Sequence, residues 1–298
     1  MPTLCLGEAL VDLICERRVR GLEDADAFRP HFGGAVANVA VNAARLGADV
    51  ALAGGAGDDD WGHWLRARLD AAGVRTDWFK LVAGCVTPVA FVTTDLEGEP
   101  AFQVYGDSIA ATMNALVPDL DEAVAQCDAL VFSSNTLAGE EEAEVTMRAR
   151  ERALHAGRPV LFDPNLRLGR WRSVAAAVAA ANACVPDALL VRCNRVEAEL
   201  LTGERDAERA ARALLKTGAR LAVVTLGADG ALLRGDVALD VPGRPASVVS
   251  TVGAGDALMG VLVGRLALAG FYPPAAAAAL PDAVAESSRA TERWGAVE

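Results

Sequence analysis

At 298 residues the chain is longer than a typical small domain, and α/β folds of this length form one large core with a small appendage, so a core plus a lid is expected. A formal net charge of −12 argues against wholesale binding to nucleic acid or an anionic membrane, which attract basic surfaces, so an anionic ligand requires a locally built site. No run of about 18 apolar residues is free of charge, residues 1–5 lack an export signal's basic and apolar blocks, and six cysteines show neither a CxxC pair nor metal-ligand spacing with the three histidines, so a soluble cytoplasmic protein with reduced thiols is expected.

Residues 3–14 begin as an apolar strand and give way to a polar, irregular stretch as far as Pro30, which puts Asp12 near a strand's carboxyl end. Phe32-Gly33-Gly34 leads into a helical pattern in which Val39, Ala43 and Leu46 share one face, Asn38 and Asn42 share another, and Gly47 takes the C-cap position. A short strand over 49–53 and an amphipathic helix over 60–72 complete a βαβα order, which implies a parallel sheet. The pattern then changes. Residues 87–94 and 101–105 alternate around the turn Asp95-Leu96-Glu97-Gly98, and with the stretch after Asp12 they form a small antiparallel lid, its segments spanning approximately 12–31 and 86–107 of a single 1–298 domain. Alternation of strand and helix resumes at 129, with strands over 129–132, 159–162, 189–192 and 221–225 and helices over 140–155, 173–182 and 206–216. A hairpin over 231–241, an apolar helix over 254–269 and an Ala-rich stretch over 274–294, helical apart from Pro281, complete the chain.

The sharpest chemical signal is Ser250-Thr251-Val252-Gly253-Ala254-Gly255-Asp256, placed just before that apolar helix. Small residues there let backbone N–H groups approach an anion, and the positive end of the helix dipole points the same way, which makes a phosphate cradle. No GxxxxGK[ST] motif occurs. A carboxylate inside an anion site would be self-defeating, so Asp256 is expected to face an acceptor hydroxyl as catalytic base, with amides around Gly253, Ala254 and Gly255 facing the phosphoryl oxygens; the first helical turn should keep it ionised. Asp12 and Asn38 suit bracketing vicinal hydroxyls, while Gly33 and Gly34 permit close approach of a sugar ring. Arg167 offers a delocalised cation to a phosphate or an acidic substrate group. Thr225 and Gly227, after an apolar strand, fit a nucleotide edge, and Gly230 suits a turn beside it. A lone Asn194-x-x-Glu197 is more often a capping pattern than a ligand pair.

Phe32-Gly33-Gly34-Ala35-Val36-Ala37-Asn38 near the start and Thr251-Val252-Gly253-Ala254-Gly255-Asp256 near the end resemble the two signatures of the ribokinase-like (PfkB) carbohydrate kinase family. Between them Asp163-Pro164-Asn165-Leu166-Arg167, Asn194-Arg195-Val196-Glu197 and Val224-Thr225-Leu226-Gly227-Ala228-Asp229-Gly230 resemble further family motifs in the expected order, and with Gly7-Glu8-Ala9-Leu10-Val11-Asp12 they are most similar to the fructokinase branch. The resemblance implies a three-layer α/β/α core with a mostly parallel sheet and ATP-dependent phosphorylation of a small sugar. It assigns sugar binding to Asp12, Gly33, Gly34, Asn38, Arg167 and Asp256. Nucleotide binding falls to Asn194, Thr225, Gly227, Gly230, Gly253 and Gly255, with Mg²⁺ held through water near Asn194 and Glu197. Fructose is the first substrate implied, followed by another ketose, a nucleoside or a keto-deoxy sugar acid such as 2-keto-3-deoxygluconate; a noncatalytic sugar-binding protein derived from such a kinase is the alternative. Positions near both ends of the site depart from the family. Ser250 stands where Asp is usual and Val252 where some members carry Thr, which argues against K⁺ activation. Gly106 and Ala110-Ala111 replace a cation and a carboxylate of the lid. Open lid edges suggest a homodimer.

Overall fold

The computed structural model describes residues 1–106 and 108–297; Asp107, at the end of the expected lid segment, lies outside the described residues. In chain order the strands are β1 (Thr3–Leu6), β2 (Leu10–Arg18), β3 (Arg29–Gly33), β4 (Val50–Gly57), β5 (Phe79–Val82), β6 (Val89–Thr94), β7 (Pro100–Tyr105), β8 (Ala129–Ser133), β9 (Val160–Asp163), β10 (Leu190–Asn194), β11 (Leu221–Thr225), β12 (Gly230–Gly235) and β13 (Leu239–Pro242). Nine of them form one sheet in the order β13-β12-β11-β10-β9-β8-β1-β4-β5. The run from β11 to β5 is parallel throughout, and β12 and β13 add an antiparallel edge.

Alternating side chains sort these strands onto two cores. Cys5, Leu52, Val131, Leu161 and Val223 point toward helices Ala35–Ala44, Asp60–Ala71, Ala254–Leu268 and Pro274–Ala290. Leu4, Leu6, Phe132, Phe162 and Val224 point toward helices Glu140–His155, Val174–Cys184 and Ala207–Thr217 on the opposite face. Both faces are covered, as a parallel sheet requires. Several helices begin at residues that cap them: Asp59, Ser173 and Asp206 each accept a backbone N–H of the first turn, from Gly62, Ala176 and Arg209.

The lid is a four-stranded sheet in the order β3-β2-β6-β7. Its outer pairs are antiparallel, but β2 and β6 at its centre run parallel. Its apolar inner face, Leu10, Ile14, Ala90, Val92 and Phe102, packs on Val252 and Trp294 of the core. Arg18 crosses from lid to core by donating to the carbonyls of Leu96 at 2.9 Å and Val248 at 2.8 Å.

Local periodicity missed three features. The chain leaves the core sheet after β1 and re-enters extended structure as β2, so Asp12 lies near the start of a lid strand rather than at the end of a core strand. β5 and the helices Ser108–Leu116 and Leu120–Ala125 join the elements expected from sequence. The last helix also runs through Pro281 without a break in assignment. All six cysteines are free thiols, and only Cys85 is not buried. Among the described residues no helix is long and apolar enough to cross a membrane.

Candidate active site

The loop after Val249 turns into helix Ala254–Leu268 through Gly253, whose φ of 77° is left-handed. A Cβ at Gly253 would lie 2.3 Å from that of Ala296, so the carboxyl-terminal segment packs directly beneath the turn. A Cβ at Gly255 would lie 2.5 Å from the Arg192 guanidinium. Both glycines therefore make room for neighbouring residues. Ala254 N–H is engaged by the Thr251 carbonyl at 3.2 Å, and Ala254 lines neither cavity of the site. Of the expected cradle, Gly253 and Gly255 line the larger cavity, at a helix end whose first amides lack intrahelical partners.

Asp256 is buried in the first turn of this helix, with Asn38 Nδ2 donating to Oδ2 at 2.9 Å and Asn165 Nδ2 to Oδ1 at 3.2 Å. Asn165 reaches it from a left-handed backbone, φ 40°, which Asn tolerates better than most residues. Burial raises the Asp256 carboxyl above its ordinary range; the Asn38 hydrogen bond and the Arg167 and Arg192 charges pull it back, and Glu197 adds to the rise. Burial thus works against the ionisation that the helix end favours.

Asp256 borders two adjoining cavities. The smaller, about 570 Å³, is lined by Asp12, Gly34, Asn38, Arg167 and Gly253, joined by Glu8, Asn135 and Arg170 and roofed by Ala90, Phe102 and Val104 of the lid. The larger, about 1670 Å³ and open to solvent, is lined by Arg192, Asn194, Glu197, Gly253 and Gly255 together with β7. Burial pushes Asp12 up to about 8, against the pull of Arg167 and with help from Asp256 and Glu8. When protonated, such a carboxyl donates as well as accepts. Gly33 lies outside the cavity lining; its missing Cβ admits the Asp12 carboxyl, which would otherwise sit 2.4 Å away. Arg167 spans both cavities, its guanidinium 4.8 Å from the centre of the Phe102 ring.

Asn194 and Glu197 form a capping box: Asn194 Oδ1 accepts from Glu197 N–H and Glu197 Oε2 from Asn194 N–H, each at 2.9 Å. Glu197 Oε1 also accepts from Leu166 N–H at 2.7 Å, which ties this helix to the Asp163–Arg167 segment. Thr225, Gly227 and Gly230 lie at the carboxyl end of β11 but line neither cavity. Thr225 Oγ1 instead accepts from Arg192 Nη2 at 3.0 Å, and a Cβ at Gly230 would meet the Val241 carbonyl at 2.0 Å. Gly230 thus serves the hairpin turn.

Sequence reasoning left out Glu8, Asn135, Asn165, Arg170 and Arg192. Arg192 is buried and paired with Asp163 at 3.1 Å. Burial raises Asp163 and the Arg192 charge opposes it. A signal was present for two of these residues: Glu8 interrupts an apolar segment, and Arg192 sits between Val191 and Cys193 inside an otherwise buried strand.

A profile of the pfkB family of carbohydrate kinases matches residues 3–292. The chain belongs to the PfkB carbohydrate kinase family. It is 34% identical over 262 residues to fructokinase-1 of Oryza sativa subsp. japonica, covering 87% of this chain and 81% of that protein. Among solved structures it resembles a fructokinase double mutant of Vibrio cholerae O395 in a fructose-, ADP- and potassium-bound form, with 28% identity, a TM-score of 0.84 and coverage of 99% and 94% of the two chains. It also resembles aminoimidazole riboside kinase of Salmonella enterica complexed with aminoimidazole riboside and an ATP analogue, with 27% identity, a TM-score of 0.83 and coverage of 100% and 95%. This PfkB protein is a sugar kinase, a phosphotransferase with an alcohol acceptor. Gly253→Ala should strain a left-handed residue against Ala296, with a stability loss of about 1–3 kcal/mol in urea unfolding and a fall in turnover of about a hundredfold as the helix tip shifts. Wild-type values for both would show that the turn does not depend on glycine.

Proposed function

We propose that this enzyme transfers the γ-phosphoryl group of ATP to a hydroxyl of a small ketose, fructose first, with Asp256 as the base. The observation that carries this reading is the shared border: Asp256 faces the small, lid-covered cavity on one side and the open cavity at the helix tip on the other. Sugar occupies the first, against Asp12, Gly34 and Asn38, and the triphosphate enters the second, toward Gly253 and Gly255.

Closure of β6 and β7 over the sugar excludes water that would compete as acceptor. The Asn38 and Asn165 amides hold the Asp256 carboxyl in place, so it can accept the hydroxyl proton without reorganising. Aspartate is a weak base, which suffices because the loose transition state of phosphoryl transfer depends mostly on positioning and charge neutralisation. Backbone N–H groups at the helix tip and the nearby Arg167 and Arg192 receive the charge on the transferring oxygens.

The region of Asn194 and Glu197 fits a magnesium ion held through water. Mg²⁺ keeps several waters and needs one or two carboxylates beside substrate phosphates, and each Glu197 oxygen, accepting one backbone amide, retains a lone pair. When bound, the ion would neutralise phosphate charge. Thr225, paired with Asn194 in the sheet, and Gly227 in the turn after it remain proposed as the nucleotide edge. At position 250 a buried hydroxyl, engaged by Val252 N–H at 3.3 Å, replaces the charged ligand that favours a monovalent cation. The proposed quaternary state is a homodimer through the lid, where β3 and β7 are open edges and Tyr105 is 57% exposed. A cytoplasmic location is also proposed.

Asp256→Asn should reduce kcat by about a thousandfold while the protein still folds and binds sugar; near-normal turnover would remove the base from this scheme. Because the base must be ionised and burial raises its pKa, kcat/KM should fall with decreasing pH through a limb that lies above the ordinary carboxylate value of about 4; a flat profile down to that value would contradict the assignment. Turnover should be the same in potassium and in tetramethylammonium salts, and strong activation by potassium would show that Ser250 does not weaken the ion site.

A further inference from the structure

Asp59 does more than cap a helix. It is the N-cap of Asp60–Ala71, and its Oδ1 accepts from Gly62 N–H at 2.8 Å, which is all that a cap requires. The same oxygen also accepts from the Thr87 hydroxyl at 2.6 Å, and Oδ2 accepts from Thr87 N–H at 2.8 Å. Thr87 Oγ1 in turn accepts from Gly57 N–H at 3.1 Å, so one hydroxyl donates to the carboxylate and receives from the end of β4. Thr87 is 1% exposed, and a Cβ at Gly57 would lie 2.7 Å from its nitrogen, so this segment is pressed onto β4 as well as bonded to it. Burial raises the Asp59 carboxyl, but the Thr87 hydroxyl and amide and the Gly62 amide outweigh it and hold the group below its ordinary range. The carboxylate therefore stays an acceptor.

Thr87 stands two residues before β6, where the chain leaves the core for the lid. Pro88 follows it, which restricts Thr87 to extended backbone and leaves little play between the bonded residue and the strand. The Pro88 carbonyl accepts from Val11 N–H of β2 at 3.0 Å, and a Cβ at Gly106, just past β7, would lie 3.0 Å from Pro88 Cα. The entry and the exit of the β6–β7 hairpin thus meet at one point, and β2 is bonded there too. The register follows from it: Asp12 pairs with Ala90, and Ala90 with Val104. Those three residues all line the small cavity.

We infer that Asp59 and Thr87 are positioning residues for the transfer reaction, a fixed pivot that holds the β6–β7 roof and Asp12 in place over the small cavity. Both residues lie outside the cavity lining, so they act through the lid. The inference rests on the placement of sugar in that cavity proposed above, and it adds the point at which the roof is fastened to the core.

The test compares wild type with Thr87→Val, Thr87→Ser and Asp59→Asn. It measures kcat, KM for fructose and for ATP, and the ratio of ADP to sugar phosphate formed, with thermal melting as a check on folding. Thr87→Val keeps the side chain's shape and the backbone N–H but removes the hydroxyl. It should raise KM for fructose about tenfold and KM for ATP less, because Ala90 borders only the small cavity. ADP should then exceed sugar phosphate, as a loosened roof admits water. Thr87→Ser, which restores the hydroxyl, should bring KM for fructose back to within about twofold of wild type. Asp59→Asn exchanges one of the two acceptor oxygens for a donor, should resemble Thr87→Val, and carries the test if Thr87→Val fails to fold. A role confined to stability would lower the melting temperature and leave KM for fructose unchanged; that result, or a Ser variant no better than Val, would overturn the inference while leaving the kinase reading intact. If fructose elicits no ATP consumption by wild type, the substrate reading fails and the inference falls with it.

Discussion

The site depends on a buried carboxyl held by two amides at the end of a helix. Asp256 is removed from water, so its charge is unfavourable unless neighbours compensate, and they come from distant parts of the chain: Asn38 from the first long helix, Asn165 from the segment after β9, Arg167 and Arg192 as charges on either side. No single element could supply that set. The parallel sheet does, because the carboxyl ends of β9 and β10 lie side by side and deliver their loops to the same edge.

The same edge explains why the site is divided in two. The lid strands grow out of the chain just after β1 and after β5, and their apolar face settles on Val252 and Trp294, so that Ala90 of β6 borders only the half nearest Asp12 while β7 borders both halves. A smaller space beside a larger one suits a compact polyol beside an extended triphosphate. The glycines of the turn serve packing and chemistry together. Gly253 lies on the carboxyl-terminal segment and Gly255 against Arg192, so the anion-facing backbone is wedged between a hydrophobic floor and a buried ion pair.

Much of this was legible in the sequence where the information is local. The glycine turn before an apolar helix, the hairpin around Asp95–Gly98 and the alternation of strands and helices from Ala129 onward each depend on neighbouring residues, and the structure contains all of them. What escaped depends on distance along the chain. Asp12 changes from a core strand's end to a lid strand's beginning because the chain switches sheets after Gly7, which periodicity cannot register. Glu8 and Asn135 meet across 127 residues, and Asn165 and Asp256 across 91, so neither contact leaves a local trace. Asn194 and Glu197 show the converse: their spacing was visible, and the local bonding it produces is a helix cap, on which any role toward a metal must be superimposed.

The central claim is that the Asp256 carboxyl lies between a sugar hydroxyl and the transferring phosphoryl group. A crystal structure of the enzyme with fructose and a non-hydrolysable ATP analogue tests it most directly. The account predicts one fructose hydroxyl within about 2.6–3.2 Å of an Asp256 carboxyl oxygen and in line with the terminal phosphate. A sugar seated elsewhere, with Asp256 bonded only to Asn38 and Asn165, would contradict it.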